Sequence, residues 1–143
     1  MPSDLMLKGM NLVHRTLMAV SFGHWGWDAA GMPVLELTTI GRKSGEPRSV
    51  MLTSPVQEGE TIVIVASKGG EPQHPAWFLN LRANPDVEVR YRGGPKQPMQ
   101  ARIADAADRA RLWPLITAKY KNYADYQRRT DREIPVVLLL PVD

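Results

Sequence analysis

The sequence predicts a small antiparallel β-barrel decorated by helices, an α+β arrangement. Three observations carry this. Six short runs have strand character, tight Gly-containing turns join several of them, and helical patterning is confined to peripheral stretches. No repeat, low-complexity segment or linker divides the 143 residues, so a single domain spanning 1–143 is expected.

Residues 5–20 predict a helix. Leu5, Met6, Met10, Val13, Leu17 and Val20 fall near one face, with Lys8, Asn11 and Arg15 largely opposite. Ser3 or Asp4 would cap its start. A packed helix, a lid and a helix resting on a membrane surface are all open readings. Phe22-Gly23-His24-Trp25-Gly26-Trp27 follows as an aromatic loop that packs on the body or touches a hydrophobic substrate. Residues 1–30 thus form an N-terminal helix and loop whose role is open. Residues 34–39 alternate apolar and polar and predict a strand. The basic turn 41–48 leads into a second strand near 49–56. Glu58-Gly59-Glu60 makes a hairpin turn, and 61–66 is a β-branched run typical of a buried strand.

A loop after Ser67-Lys68-Gly69-Gly70 precedes a short helix over 75–83, with Pro75 at its start and Asn84-Pro85 at its end. Residues 87–91 and 99–103 predict strands joined at Gly93-Gly94-Pro95. A helix over 105–120 begins at Asp105, and Pro114 kinks or restarts it. Residues 122–129 form a further short helical piece, and 136–140 a final apolar strand.

Composition excludes several chemistries. A hydrophobic fraction of 43% and a charged fraction of 23% suit a soluble protein with a core. There is no cysteine, which removes disulfides, thiolate metal sites and Cys nucleophiles. His14, His24 and His74 have no zinc spacing, so no metal is expected. The net charge of +3 favours an anionic ligand without selecting one. The N-terminal stretch lacks signal-peptide form and is too broken by Lys8, His14 and Arg15 to span a bilayer. A cytoplasmic location is expected, with peripheral membrane contact through the N-terminal helix open.

Two turns carry the functional signal. Arg42, Lys43 and Arg48 lie within seven residues, and Lys68 ends a separate strand. Brought together, they would converge on a phosphorylated or polyanionic ligand, since such turns form anion-binding concavities. A solvated hairpin turn is the bland alternative. Neither a Walker A loop nor a Rossmann fingerprint is present. No Gly-x-Ser-x-Gly elbow surrounds Ser67, so it is not read as a nucleophile. Trp77 and Asn80 share one helix face, as core or as the lining of a ligand slot. Tyr120, Tyr123 and Tyr126 recur every three residues, as an aromatic stripe or as a wall suited to a planar carbonyl or nitro compound.

Four blocks in order resemble the deazaflavin-dependent nitroreductase family, the F420-dependent reductases of mycobacterial type. They are Leu37-Thr38-Thr39-Ile40-Gly41-Arg42-Lys43-Ser44-Gly45-Glu46-Pro47-Arg48, the run from Val63 to Gly70, the run from Pro75 to Pro85, and Tyr123-Ala124-Asp125-Tyr126-Gln127 with the segment from Thr130 to Val136. The resemblance implies a split β-barrel related to the FMN-binding barrels. It implies coenzyme F420, an 8-hydroxy-5-deazaflavin with a phosphate and a polyglutamate tail. It implies hydride transfer from F420H2 to an enone, quinone or nitro compound. On the matching positions, Arg42, Lys43, Ser44, Gly45, Arg48, Leu52, Thr53, Ala66, Ser67, Lys68, Gly69, Gly70, Pro75, Ala76, Trp77 and Asn80 would meet the cofactor. Tyr120, Tyr123 and Tyr126 would wall the substrate, with Tyr123 or Ser67 donating to the acceptor oxygen. Thr53 stands where the nitroreductase has a substrate-side tyrosine, which alters the pocket expected for bulky nitroimidazoles. An FMN- or haem-binding barrel, a non-enzymatic F420 carrier and a small nucleic-acid binder are the other classes. The last is disfavoured, because the basic residues sit in turns without an aromatic platform.

Overall fold

The computed structural model describes residues 28–142 other than Ala30. The expected N-terminal helix and aromatic loop lie outside the described residues. The elements run β1 (Asp28–Ala29), β2 (Met32–Ile40), β3 (Pro47–Thr53), β4 (Val56–Glu58), β5 (Thr61–Val65), α1 (Ala76–Ala83), β6 (Asp86–Tyr91), β7 (Lys96–Ile103), α2 (Ala106–Lys119), α3 (Asn122–Arg128) and β8 (Val136–Pro141). A single 3-10 turn, Lys68–Gly70, follows β5.

All strand pairs are antiparallel, in the order β1-β2-β6-β7-β8-β5-β4, with β3 also paired to β2. The strand expected near 49–56 is two strands. Ser54-Pro55 interrupts it, since Pro55 has no N–H for a ladder. This break curls the sheet, because β3 at one end of the order and β4 at the other are consecutive in the chain. Ser54 ties them. It is fully buried, its N–H donates to Pro33 O (3.0 Å), and its Oγ lies 2.6 Å from Val63 O and 2.9 Å from Val56 O.

Period-two alternation divides the core. Ile62, Ile64, Val137 and Leu139 face one cluster with Leu35, Leu37, Val87, Val89 and the α1 residues Trp77, Phe78 and Leu81. Val63, Val65, Val136 and Leu138 face a second cluster closed by Leu112 and Ile116 of α2 and Tyr123 of α3. β5 and β8 are therefore covered on both faces, which is why their sequences are unbroken apolar runs. In β6 the alternation is half-buried instead: Val87 and Val89 are inside, Asp86 and Glu88 outside.

The helix ends follow local chemistry. Asp105 caps α2 by accepting from Asp108 N at 2.8 Å. Pro75 is the N-cap of α1. Pro114 lies inside α2, which continues through it to Lys119. Among the described residues no helix is long and apolar enough to cross a membrane.

Candidate functional site

A cavity of about 760 Å³ opens between β3, the turn after β2, the end of β5, α1 and Tyr123. Its register fixes the layout. Thr39 pairs with Arg48 at one end of the β2–β3 hairpin, and Val34 pairs with Thr53 at the other. Five residue steps separate Arg48 from Thr53, roughly 17 Å of extended chain. All six residues of that run line the cavity. The cationic end is thus separated from the Thr53–Tyr123 end by about the length of a tricyclic ring with its first substituents.

The basic turn builds the cationic end. Gly41 N–H donates to Glu46 O and Gly45 N–H to Gly41 O, both at 2.8 Å. Asn80, from α1, accepts at Oδ1 from Arg42 N (3.1 Å) and Arg42 Nη1 (3.0 Å), and its Nδ2 donates to Thr39 Oγ1 (3.3 Å). Asn80 is nearly buried. It therefore orients Arg42 rather than offering a free amide. Arg48 lies 3.9 Å from Glu46 and donates to Ser44 Oγ at 3.4 Å. Lys68 pairs with Glu71 at 3.7 Å. The two turns, far apart in sequence, bring Arg42, Lys43, Arg48 and Lys68 to one cavity.

The second turn has the backbone form of an anion-binding concavity. Ser67 is right-handed (φ −77°, ψ −37°) and Lys68 left-handed (φ 46°), the dihedral pair that makes neighbouring N–H groups converge. A left-handed lysine costs on the order of 1 kcal/mol and persists where the surroundings enforce it. Among the described residues, the N–H groups of Ser67, Lys68 and Gly69 have no backbone acceptor. Gly70 presses against α3: a Cβ there would sit 2.6 Å from Tyr126 O.

Trp77 is both core and wall. It is 8% exposed, belongs to the first core cluster and lines the cavity with Pro75, Ala76 and Asn80. Tyr123 is also nearly buried. Its Oη lies 3.6 Å from Met32 Sδ and its hydroxyl also bonds Thr53. Burial raises its pKa above the ordinary phenol value, with Tyr126 and Tyr120 adding to this and the Thr53 bond opposing it. The hydroxyl is therefore a neutral donor at physiological pH.

The three tyrosines do not share one helix. The chain turns at Tyr120, which caps α2 in extended conformation (φ −132°, ψ 91°). Among the described residues, Tyr123 reaches the cavity while Tyr120 and Tyr126 flank it. Tyr120 Oη donates to Gly31 O at 3.2 Å, and the Tyr126 ring stacks edge-on against Tyr123 with centroids 6.0 Å apart. Gly45, Ala66, Gly69 and Gly70 also stay off the wall: Gly45 completes its turn, Ala66 is in the barrel core, and the two glycines shape the second turn. Conversely, Val34, Val50, Met51 and Val65 line the cavity although nothing in their pattern distinguishes them from core or surface strand positions.

Comparison with known proteins gives the family. The profile of the F420H(2)-dependent quinone reductase family matches residues 12–141. An F420H(2)-dependent quinone reductase of Mycobacterium tuberculosis is 45% identical over 114 residues, covering 75% of this chain and 72% of that one. A solved F420-H2 dependent reductase is 42% identical with a TM-score of 0.66, over 75% of this chain and 93% of its own. Another solved chain, a domain-swapped dimer, is 37% identical with a TM-score of 0.68, over 90% and 96%.

The fold and the cavity define a split-barrel reductase. The chain belongs to the F420H(2)-dependent quinone reductase family, and its cofactor is coenzyme F420. The residues present fit that group. Four cations and the Ser67 and Lys68 N–H groups, which have no backbone acceptor among the described residues, suit its anionic oxygens, while Val50, Leu52, Ala76 and Trp77 offer apolar lining.

Proposed function

We propose that the protein reduces a small electron-poor carbonyl compound, a quinone first and an enone second, with F420H2 as donor, and that the cavity residues divide the work by position. Arg42, Lys43 and Arg48 hold the anionic phosphate and tail. Ser67 and Lys68 hold an anionic or carbonyl oxygen nearer the ring. Trp77, Ala76 and Leu52 bound the ring's faces. When bound, the reduced cofactor supplies a hydride. A quinone that receives it also takes a proton at oxygen, and Tyr123 Oη or Ser67 Oγ donates a hydrogen bond there.

The observation that carries this reading is the position of Tyr123. Its hydroxyl is buried on the cavity wall beside Thr53, at the opposite end of β3 from Arg48. A cofactor anchored by its charges at Arg48 leaves the acceptor at the phenol end. Thr53 stands there where the nitroreductase it resembles has a tyrosine, so this end differs in size and polarity from a site that takes bulky nitroimidazoles. The test is F420H2 oxidation measured with matched benzoquinone, cyclohexenone and nitroimidazole acceptors. The quinone is expected to turn over fastest. A nitroimidazole preferred over both carbonyl acceptors would overturn the assignment.

A further inference from the structure

Arg132 lies in the loop before β8, and sequence reasoning assigns it nothing. Its guanidinium makes four hydrogen bonds. Nε donates to Glu71 O (2.8 Å), Nη2 to Ser67 O (2.7 Å), and Nη1 to Ala66 O (3.2 Å) and His74 Nδ1 (3.2 Å). A guanidinium cannot accept, so His74 Nδ1 must be the acceptor and a neutral imidazole carries its proton on Nε2. The loop that carries Arg132 is itself held from α3. Gln127 Nε2 donates to Arg132 O (2.8 Å), and Gln127 Oε1 accepts from Ile134 N (2.9 Å).

The peptide unit turns these contacts into a statement about the cavity. In a trans peptide the C=O of one residue and the N–H of the next point in opposite directions. No cis peptide occurs among the described residues. With Ala66 O and Ser67 O both drawn to the guanidinium, the N–H groups of Ser67 and Lys68 must point away from it. Ser67 and Lys68 are on the cavity wall, and those N–H groups have no backbone acceptor among the described residues.

We propose that Arg132 is a positioning residue: by fixing the carbonyl side of residues 66–71 it holds Lys68 left-handed and presents the Ser67 and Lys68 N–H groups to an anionic or carbonyl oxygen of the bound cofactor. The proposal rests on the F420 reading above. It concerns orientation, not attraction by charge. A lysine has one nitrogen and cannot bridge three carbonyls and an imidazole in one plane.

The experiment compares wild type, Arg132→Lys and Arg132→Met by F420 fluorescence titration, thermal melting and amide NMR. In the wild type, the Ser67 and Lys68 amide resonances are expected to move on adding F420. Both variants are expected to lose about tenfold or more in F420 affinity, the Lys variant no better than the Met variant within about threefold. The loss in F420 affinity should appear in variants whose melting temperature stays near that of the wild type, which a general loss of folded structure would not produce. A folded Lys variant with wild-type affinity would show that charge alone matters and overturn the proposal. So would wild-type Ser67 and Lys68 amides that ignore bound F420, a measurement that decides the matter even if both variants unfold. Wild-type protein that fails to bind F420 at all would instead remove the cofactor reading on which the proposal stands.

Discussion

Tyr123 shows how much a single buried hydroxyl can be asked to do. Its acceptor in the described structure, Met32 Sδ, is a weak one, so the proton is readily redirected to a ligand oxygen. Tyr123→Phe keeps the ring and its edge contact with Tyr126. It should lower kcat/KM for quinones about tenfold while leaving F420 affinity nearly constant. Unchanged rates in both this variant and Ser67→Ala would mean that solvent delivers the proton. His74 gives a different residue-scale expectation. Burial, then Arg132 and Arg82, lower its pKa below the ordinary 6.5. The unfolded chain therefore takes up a proton first as pH falls, so this site's effect on stability is absent above about 6.5 and increasingly unfavourable below it. His74→Gln should remove that part of the slope. Urea unfolding at several pH values checks it, and identical slopes would refute it.

At the scale of elements, the second turn and α3 act as one piece. Gly70 has φ +82°, and a Cβ would meet Tyr126 O at 2.6 Å and Arg129 Cβ at 3.0 Å. Gly70→Ala should therefore cost on the order of 1–3 kcal/mol in urea unfolding. Because α3 carries Tyr123, the same variant should raise the quinone KM. A stable variant with unaltered KM would show that the turn and helix move independently. The elements themselves were largely legible, since alternation, caps and turn residues are local. The exceptions have physical causes. Pro114 leaves α2 continuous, since packing of Leu112 and Ile116 on either side offsets a missing hydrogen bond. The tyrosine triplet reads as one stripe, yet the chain turns at Tyr120 between two helices.

At the scale of the whole molecule, closure of the barrel depends on Ser54, where β3 becomes β4. Ser54→Ala removes the donor to the Val63 and Val56 carbonyls and an acceptor for Gln57 Nε2. The expected loss is about 1–3 kcal/mol, seen as a lower urea midpoint with an unchanged slope. A midpoint within error of wild type would show that the closure is held elsewhere. Charge also acts globally. Added salt should weaken F420 binding. Single Ala changes at Arg42, Lys43 or Arg48 should weaken it by less than about fivefold each, and the triple change by more. Affinity indifferent to both salt and the triple change would place the anionic tail elsewhere.

Sequence alone determined most strands and helices of the described residues, though not β1 or the break of 49–56 into β3 and β4, together with the exclusion of thiol chemistry, the two turns and the likeness to F420-dependent reductases. Those follow from local periodicity, composition and ordered blocks of residues. Only the tertiary structure decided that the turns converge on one cavity, that Asn80 orients Arg42, that Tyr123 rather than Tyr120 or Tyr126 reaches the wall, and that Arg132 gathers the carbonyls of Ala66, Ser67 and Glu71. Each of these is a contact between side chains or carbonyls tens of residues apart. Such pairings are set by how the sheet curls at Ser54 and how α3 lies against the second turn, and no local pattern encodes them.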